Sequence, residues 1–383
     1  MPTSSTISAS SSPTAPATQV SFFADLYTFD WSVLSFRQPA ISASAVALCL
    51  FAGVALGHPG GALIAGGGAL TIGFGVNQRI CDSRLLPMVF GVFAMAAATL
   101  AGTLAGHRGY AIVVASILSA AIYGVLTLRS SGLAWVGQQA SIALFVASAF
   151  PSPPRAALVR AALIVFGGAV QILITTQALN LIPELRKDID CVPRSFHQSL
   201  AQARREFARF RKVEPKTVPT PSRAIALIYA TRLMLTVALS TELYRRVGMQ
   251  SGYWIPMTAL LVQKPAFFET FTRGLLRVAG TLAGAILSTI LMTHIAFQPH
   301  TMNWMLAALT TFFTFLAFAT YSVNYGLFTL CLTSYIVFLL SLNQIPGPEI
   351  AHRRAFCTVA GAAIALLIHL DALRRHSKDH AAT

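Results

Sequence analysis

Apolar residues run along this chain in long unalternated blocks with short polar breaks between them, as expected of helices that cross a membrane. One span of the hydrocarbon core takes about 20 mostly apolar residues. On that measure the first part of the chain predicts spans near 39–57, 60–77, 86–105, 110–128, 132–150 and 157–182. The second part predicts spans near 223–243, 252–264, 274–295, 302–320, 325–343 and 354–372. The breaks His58-Pro59-Gly60, Pro151-Ser152-Pro153-Pro154 and Pro346-Gly347-Pro348 are built from the residues that interrupt helices most readily. A basic polar stretch, Pro183–Ser222, separates the two groups of six.

A gapless shift of 193 residues lays one group on the other. It brings Arg84 onto Arg277, Gly91 onto Gly284, Pro153 onto Pro346, Arg160 onto Arg353 and Gly168 onto Gly361. The expected fold class is therefore all-α, a polytopic transmembrane helical bundle of two parallel pseudo-repeats with six spans each. The expected organisation is a disordered cytoplasmic tail at 1–38, the first repeat at 39–182, a basic cytoplasmic linker at 183–222, the second repeat at 223–372 and a second cytoplasmic tail at 373–383.

Composition agrees with the spans. Hydrophobic residues make up 55% of the 383-residue chain and charged residues only 11%, whereas an ordinary soluble domain carries about 25%. With twelve spans and the N-terminus inside, Lys and Arg favour the cytoplasmic side about threefold, which places both termini in the cytoplasm. That sorting, together with contact to anionic lipids at the cytoplasmic face, accounts for the formal charge of +15. No nucleic-acid-binding motif accompanies the charge, so no nucleic-acid partner is expected.

The first 20 residues are rich in Ser, Thr, Ala and Pro and lack the basic and apolar regions of a signal peptide. In the linker, Ser195 and Gln198 have the spacing of a capping box. Phe196, Leu200, Ala203, Phe207 and Phe210 follow at helical spacing among basic residues, which predicts an amphipathic helix on the leaflet or against the bundle. The five cysteines are widely spread, so no disulfide framework, metal site or cofactor is expected.

The second block carries the most specific pattern. Ser251-Gly252-Tyr253-Trp254-Ile255-Pro256-Met257-Thr258 leads through Val262-Gln263-Lys264-Pro265 to Thr272-Arg273-Gly274 and Arg277-Val278-Ala279-Gly280-Thr281-Leu282-Ala283-Gly284. This resembles the signature of the fusaric acid resistance protein family and its aromatic acid exporter relatives. In those proteins a Tyr-Trp opens one span, a Pro follows at its cytoplasmic end, and Arg-x-x-Gly-Thr-x-x-Gly opens the next. The first block lacks the signature, with Gly60, Gly61 and Ala62 near the corresponding place. Many members carry a large soluble domain between their halves where this chain has about 40 residues, so no role of that domain carries over. The resemblance implies a multi-pass protein of the bacterial inner membrane that exports aromatic carboxylic acids or similar anions.

The candidate substrate contacts are Arg232, Tyr253, Trp254, Thr258, Lys264, Arg273, Arg277 and Tyr325. Arg232 lies near the middle of its span, where a charge is costly, and could meet a substrate carboxylate. Tyr253 and Trp254 suit either an interfacial aromatic belt or a stacking gate. Lys264, Arg273 and Arg277 suit either positive-inside anchoring or a cationic vestibule, with Arg273 and Arg277 on one helical face. Gly280 and Gly284 form a Gly-x-x-x-Gly face suited to close helix packing. Tyr321, Asn324, Tyr325 and Tyr335 could line a pathway, as could Gln138, Gln139 and Gln171.

Glu242 and His369 are the candidates for proton coupling, although Glu242 equally suits an ion pair with Arg245 or Arg246 and His369 an interfacial place. No Walker, HExxH, Rossmann or triad pattern is present, so an enzyme is not expected and no catalytic residue is assigned. The expected function is secondary export of small organic anions, with proton antiport as the family-level coupling. The alternatives are a passive organic-anion channel and a non-transport membrane scaffold. A periplasmic adaptor and a homo-oligomer are both open as partners.

Overall fold

The computed structural model describes residues 28–81, 83–106, 109–127, 129–181, 221–249, 251–294, 301–343 and 345–381, with side chains described for 28–181 and 227–370 within those ranges. The first group of helices comprises α1 (Arg37–Ala55), α2 (Pro59–Gly73), α3 (Leu85–Ala105), α4 (Ala111–Thr127), α5 (Ser131–Ser148) and α6 (Pro154–Leu179). The second comprises α7 (Pro221–Val247), α8 (Trp254–Val262), α9 (Phe267–His294), α10 (Met302–Thr320), α11 (Tyr325–Ser341) and α12 (Gly347–Ala381). Seven of the described helices are long and apolar enough to cross a membrane. Large apolar side chains such as Phe166, Leu173 and Ile286 face outward, a surface suited to lipid. The chain is a polytopic helical membrane protein.

The helix boundaries follow local chemistry. Pro59 and Pro154 open α2 and α6 at the first helical position, where a missing N–H breaks no intrahelical bond. Ser130 Oγ caps α5 by accepting from the Leu133 N–H at 3.1 Å. Asn324 Oδ1 caps α11 by accepting from the N–H groups of Gly326 and Leu327 at 2.8 and 3.2 Å. Inside the helices, buried hydroxyls return their proton to the preceding turn, as Thr314 does to Thr310 O at 2.7 Å and Ser341 to Val337 O at 2.8 Å.

Packing is most extensive along a few pairs. In the first group α3 lies on α5 and α6, α2 on α1 and α6, α1 on α6, and α4 on α5. In the second α9 lies on α11 and α12, α8 on α7 and α12, α7 on α12, and α10 on α11. Each of these contacts in one group has its counterpart in the other. The groups are joined by α1 against α10 and α4 against α7, again a matched pair. The α9–α11 contact is close, since a Cβ on Gly280 would lie 2.4 Å from Gly326 O and one on Gly284 2.5 Å from Leu330 O. The matched α3–α5 contact is as close, with a Cβ on Gly102 2.4 Å from Leu144 O.

Several details depart from the sequence reading. Helix α9 begins at Phe267 rather than near 274, because Glu269 and Arg273, which end the apolar window, do not interrupt the helix. Helix α12 begins at Gly347 and continues to Ala381, through the stretch read as a tail. Residues 28–36, read as part of a disordered tail, contain a 3-10 turn at Trp31–Val33 and dock on the α10–α11 connection. There Asn324 Nδ2 donates to Thr28 O at 3.1 Å, the Asp30 N–H donates to Val323 O at 3.2 Å, and Phe36 stacks on Phe315. Cys81 is disulfide-bonded, a pairing that five widely spaced cysteines did not announce. The amphipathic helix expected in the linker lies outside the described residues.

Candidate functional site

The helices alternate in direction, so each connection belongs to one of two ends. The Lys264 end also carries Phe74, Tyr321 and Asn324, and the Phe150 end carries His58, Tyr253 and Asn343. Between the ends, a chamber of about 730 Å³ is enclosed by α2, α3, α5 and α6 from the first group and by α8, α9 and α11 from the second. That volume is in the range of about 300–1,000 Å³ typical of small-molecule sites. Most of the lining is apolar or aromatic, and none of it is Asp or Glu.

The lining positions correspond between the groups. Under the 193-residue shift Trp135 falls on Phe328, Gln139 on Leu332, Ile142 on Tyr335, Val146 on Leu339 and Phe150 on Asn343, and all ten residues face the chamber.

Its polar chemistry is one-sided. Arg273 and Arg277 enter from α9, four residues and about one turn apart. Arg277 is fully buried and its Nε has no hydrogen-bond partner. The Arg273 guanidinium lies 4.2 Å from the centre of the Tyr325 ring. The buried Tyr335 hydroxyl and the Trp254 Nε1 also lack partners. A buried donor left unpaired costs about 1–3 kcal/mol, more when it is charged. The chamber therefore presents several unpaired donors, and an anionic acceptor would satisfy them. At the far end Arg160 donates to Phe150 O, which occupies part of its hydrogen-bonding capacity.

An aromatic floor closes the Lys264 end of the chamber. Phe74 packs on Phe318, Tyr321 and Phe328 with ring centres 4.5, 5.0 and 5.5 Å apart, and Tyr325 meets Phe328 at 6.1 Å. Beyond the floor lies a second cavity of about 360 Å³, bounded by Lys264, Glu269, Thr272 and Asn324. Arg273, Tyr321 and Tyr325 line both cavities, so these three side chains are the partition. Burial and the neighbouring Arg273 push the Lys264 ammonium down to about 8, while Glu269 pulls it the other way.

Of the sequence-derived candidates, the chamber brings together Tyr253, Trp254, Arg273, Arg277 and Tyr325. Tyr253 and Trp254 are only 2% and 4% exposed and form no outward-facing belt. Lys264 lies in the smaller cavity. Thr258 is buried against Gly361 at the α8–α12 contact and does not reach the chamber. Arg232 is half-buried on α7 and lines neither cavity. Glu242 accepts from Arg245 at 2.7 and 2.8 Å and from Arg246 at 2.7 Å. His369 is buried, with its Nδ1 3.1 Å from Thr270 Oγ1, and Thr270 Oγ1 in turn accepts from the Lys264 N–H at 3.0 Å. Tyr321, Tyr335, Gln138 and Gln139 line the chamber, whereas Asn324 lines the smaller cavity. Gln171 bridges helices instead: in the amide orientation that satisfies both its ends it donates to Ser42 O at 3.0 Å and Ala69 O at 3.2 Å.

Sequence reasoning missed Arg354, Trp135 and Phe328. Arg354 adjoins Arg353 and reads as one of a pair in a polar connection. The available signal was spacing: Glu349 lies four residues before Arg353 and pairs with it, so Arg354, about 100° further round the helix, points inward.

Residues 235–368 match the sequence profile of the family described as fusaric acid resistance protein-like. Similar proteins include uncharacterized protein ORF2 of Neisseria gonorrhoeae, 31% identical over 36% of this chain and 32% of the relative. The inner membrane protein YccS of Escherichia coli strain K12 is 31% identical over 38% of this chain and 19% of its own length. Protein YhfK of the same organism, described as uncharacterized, is 29% identical over 37% of this chain and 19% of its own. The matches thus span a third or less of these relatives. No solved structure matches the chain. Helices α8, α9 and α11, which bring the arginines and phenols to the chamber, lie wholly inside residues 235–368, the region similar to the fusaric acid resistance protein-like family.

Proposed function

We propose that this protein is a secondary exporter of small aromatic carboxylate anions, with the chamber as its binding site. The observation that carries the reading is the pairing of Arg273 and Arg277 with aromatic walls in a cavity lined by no carboxylate. A guanidinium held there is costly unless an anion joins it. Arg277 supplies charge-assisted donors for the carboxylate. Trp254, Phe328 and Trp135 supply stacking surface for the ring. This gives Arg277 the role that sequence alone suggested for Arg232.

The smaller cavity with Lys264 gathers anions at the cytoplasmic end, and the Arg273–Tyr325–Tyr321 partition passes them to the chamber. The matched helix contacts and matched lining support two pseudo-equivalent halves that rock about the site, as in carriers of alternating access. His369, joined through Thr270 to the Lys264 turn, is the better placed of the two candidates for proton coupling, since Glu242 is held by two arginines.

The test is uptake of labelled 4-hydroxybenzoate into inverted vesicles with an imposed proton gradient. The native chain accumulates the probe, and Arg277→Gln lowers the initial rate at least about tenfold, the loss of roughly 1.4 kcal/mol or more of binding. Flux that only equilibrates would mean a channel. Native and Arg277→Gln vesicles behaving alike would discard the site.

A further inference from the structure

We infer that Arg354 is a second carboxylate site, screened from the chamber by the Trp254 ring and occupied after the Arg277 site during transport. This rests on the transport reading above and adds a second station to it.

Arg354 and Arg277 head the largest fully buried side chains, and Arg354 is 1% exposed. Its Nε donates to Thr333 Oγ1 at 3.3 Å, and its guanidinium carbon lies 4.1 Å from the centre of the Trp254 ring. Nη1 and Nη2, which carry four of the five guanidinium N–H groups, have no hydrogen-bond partner. The polar groups around it are Arg277, Tyr253, Tyr325 and the Cys357 thiol, and the charged one among them has the same sign. The comparison with other arginines is direct. Arg353 is held by Glu349, and Arg245 and Arg246 by Glu242.

A desolvated cation–π contact offsets part of the cost of burying a guanidinium. Burying an uncompensated guanidinium costs several kcal/mol. The stack on Trp254 therefore does not balance the burial, and the unpaired donor edge of the fork matches a carboxylate in geometry and charge.

Trp254 supplies the route. One side of its ring packs against Arg354 while the residue also lines the chamber, which Arg354 itself does not reach. Rotation of this single side chain joins the Nη groups to the chamber, and the Trp254 Nε1, also without a partner, moves with it. The two cations stand at different depths. Arg277 is ten residues, about 15 Å, along α9 from the Lys264 end, and Arg354 is seven residues, about 10 Å, along α12 from the opposite end. A carboxylate leaving Arg277 toward the Phe150 end meets Arg354 next.

The experiment uses the full chain in lipid nanodiscs and vesicles with 4-hydroxybenzoate as probe, comparing native protein, Arg354→Gln and Arg354→Lys. For Arg354→Gln we expect a melting temperature equal to or above native, a Kd within threefold of native because Arg277 remains, and turnover lowered at least tenfold. Arg354→Lys recovers part of the turnover. A structural Arg354 gives the opposite pattern: Arg354→Gln melts lower or fails to fold, or it folds and transports within twofold of native. Any of these overturns the inference, as does a lysine variant no better than glutamine. If native protein neither binds nor moves the probe, the transport reading fails first. If Arg277→Gln abolishes binding while both Arg354 variants behave as native, only the second station fails.

Discussion

The two groups of six helices share a frame and divide the chemistry. Their principal contacts correspond pair by pair, and matched positions of α5 and α11 face the same chamber. Yet where the second group places Tyr253, Trp254, Arg273, Tyr325, Tyr335 and Arg354, the first has Gly60, Gly61, Ile80, Gly132, Ile142 and Ala161. The first group contributes a wall of Phe74, Trp135 and Phe150 with two glutamine amides, and its one cation there, Arg160, is engaged by the Phe150 carbonyl. The family match, at residues 235–368, falls on the half that carries Arg273 and Arg277. The difference shows that packing tolerates a change of side-chain chemistry so long as volumes and close approaches are kept. A two-part frame therefore does not require a two-part site.

That comparison is broken most directly at Arg84 and Arg277, one of the two arginine pairs the shift superimposes. Arg277→Gln is expected to lower transport at least about tenfold, whereas Arg84→Gln, at the N-cap of α3 and outside the chamber, leaves the rate within about twofold. Equal losses, read as initial rates in vesicles, would mean that the halves share the chemistry after all.

The superimposed glycines should give a smaller contrast, in stability. A Cβ at Gly284 meets the Leu330 carbonyl at 2.5 Å, which is backbone, while one at Gly91 meets the side chains of Ile72 at 3.0 Å and Trp135 at 3.1 Å. Gly284→Ala is expected to cost about 1–3 kcal/mol and Gly91→Ala less than about 1 kcal/mol. Thermal unfolding in detergent distinguishes them, and similar losses would mean that meeting backbone at Gly284 costs no more than meeting side chains at Gly91.

The smallest effect concerns Lys264. Its ammonium, lowered to about 8, is charged below that pH and neutral above it. Raising the cytoplasmic-face pH from about 7 to about 9 should therefore raise the KM for the anion about twofold to threefold, through loss of one attracting charge. Lys264→Arg, which stays charged throughout, should abolish the rise. A KM that climbs equally in the arginine variant would remove Lys264 from the anion path.

Much of the frame was legible from hydropathy. The expected spans lie close to the twelve described helices, since an unbroken apolar run has few other options in lipid. Misplaced boundaries occurred at α9 and α12, where charged residues ended an apolar window but not a helix. The motif around Tyr253–Gly284 led to four of the chamber residues, Tyr253, Trp254, Arg273 and Arg277, because their spacing is local. Arg232 stood out for its depth along the chain, but depth says nothing about direction, and its helix turns it away from both cavities. Arg354 was hidden by the reverse effect, as one of two adjacent arginines near a Pro-Gly-Pro break.

The sequence by itself determined that this is a helical membrane protein with two similar groups of spans, because hydrophobic length and polar punctuation are properties of the chain. It also determined the family resemblance of the second group, because the motif is contiguous. Only the tertiary structure decided which cations share a chamber, which are held by glutamates and which is screened by Trp254. Those outcomes depend on the rotation of each helix about its axis and on which neighbours meet it, and neighbours such as Trp135 and Arg277 are brought together from different halves of the chain.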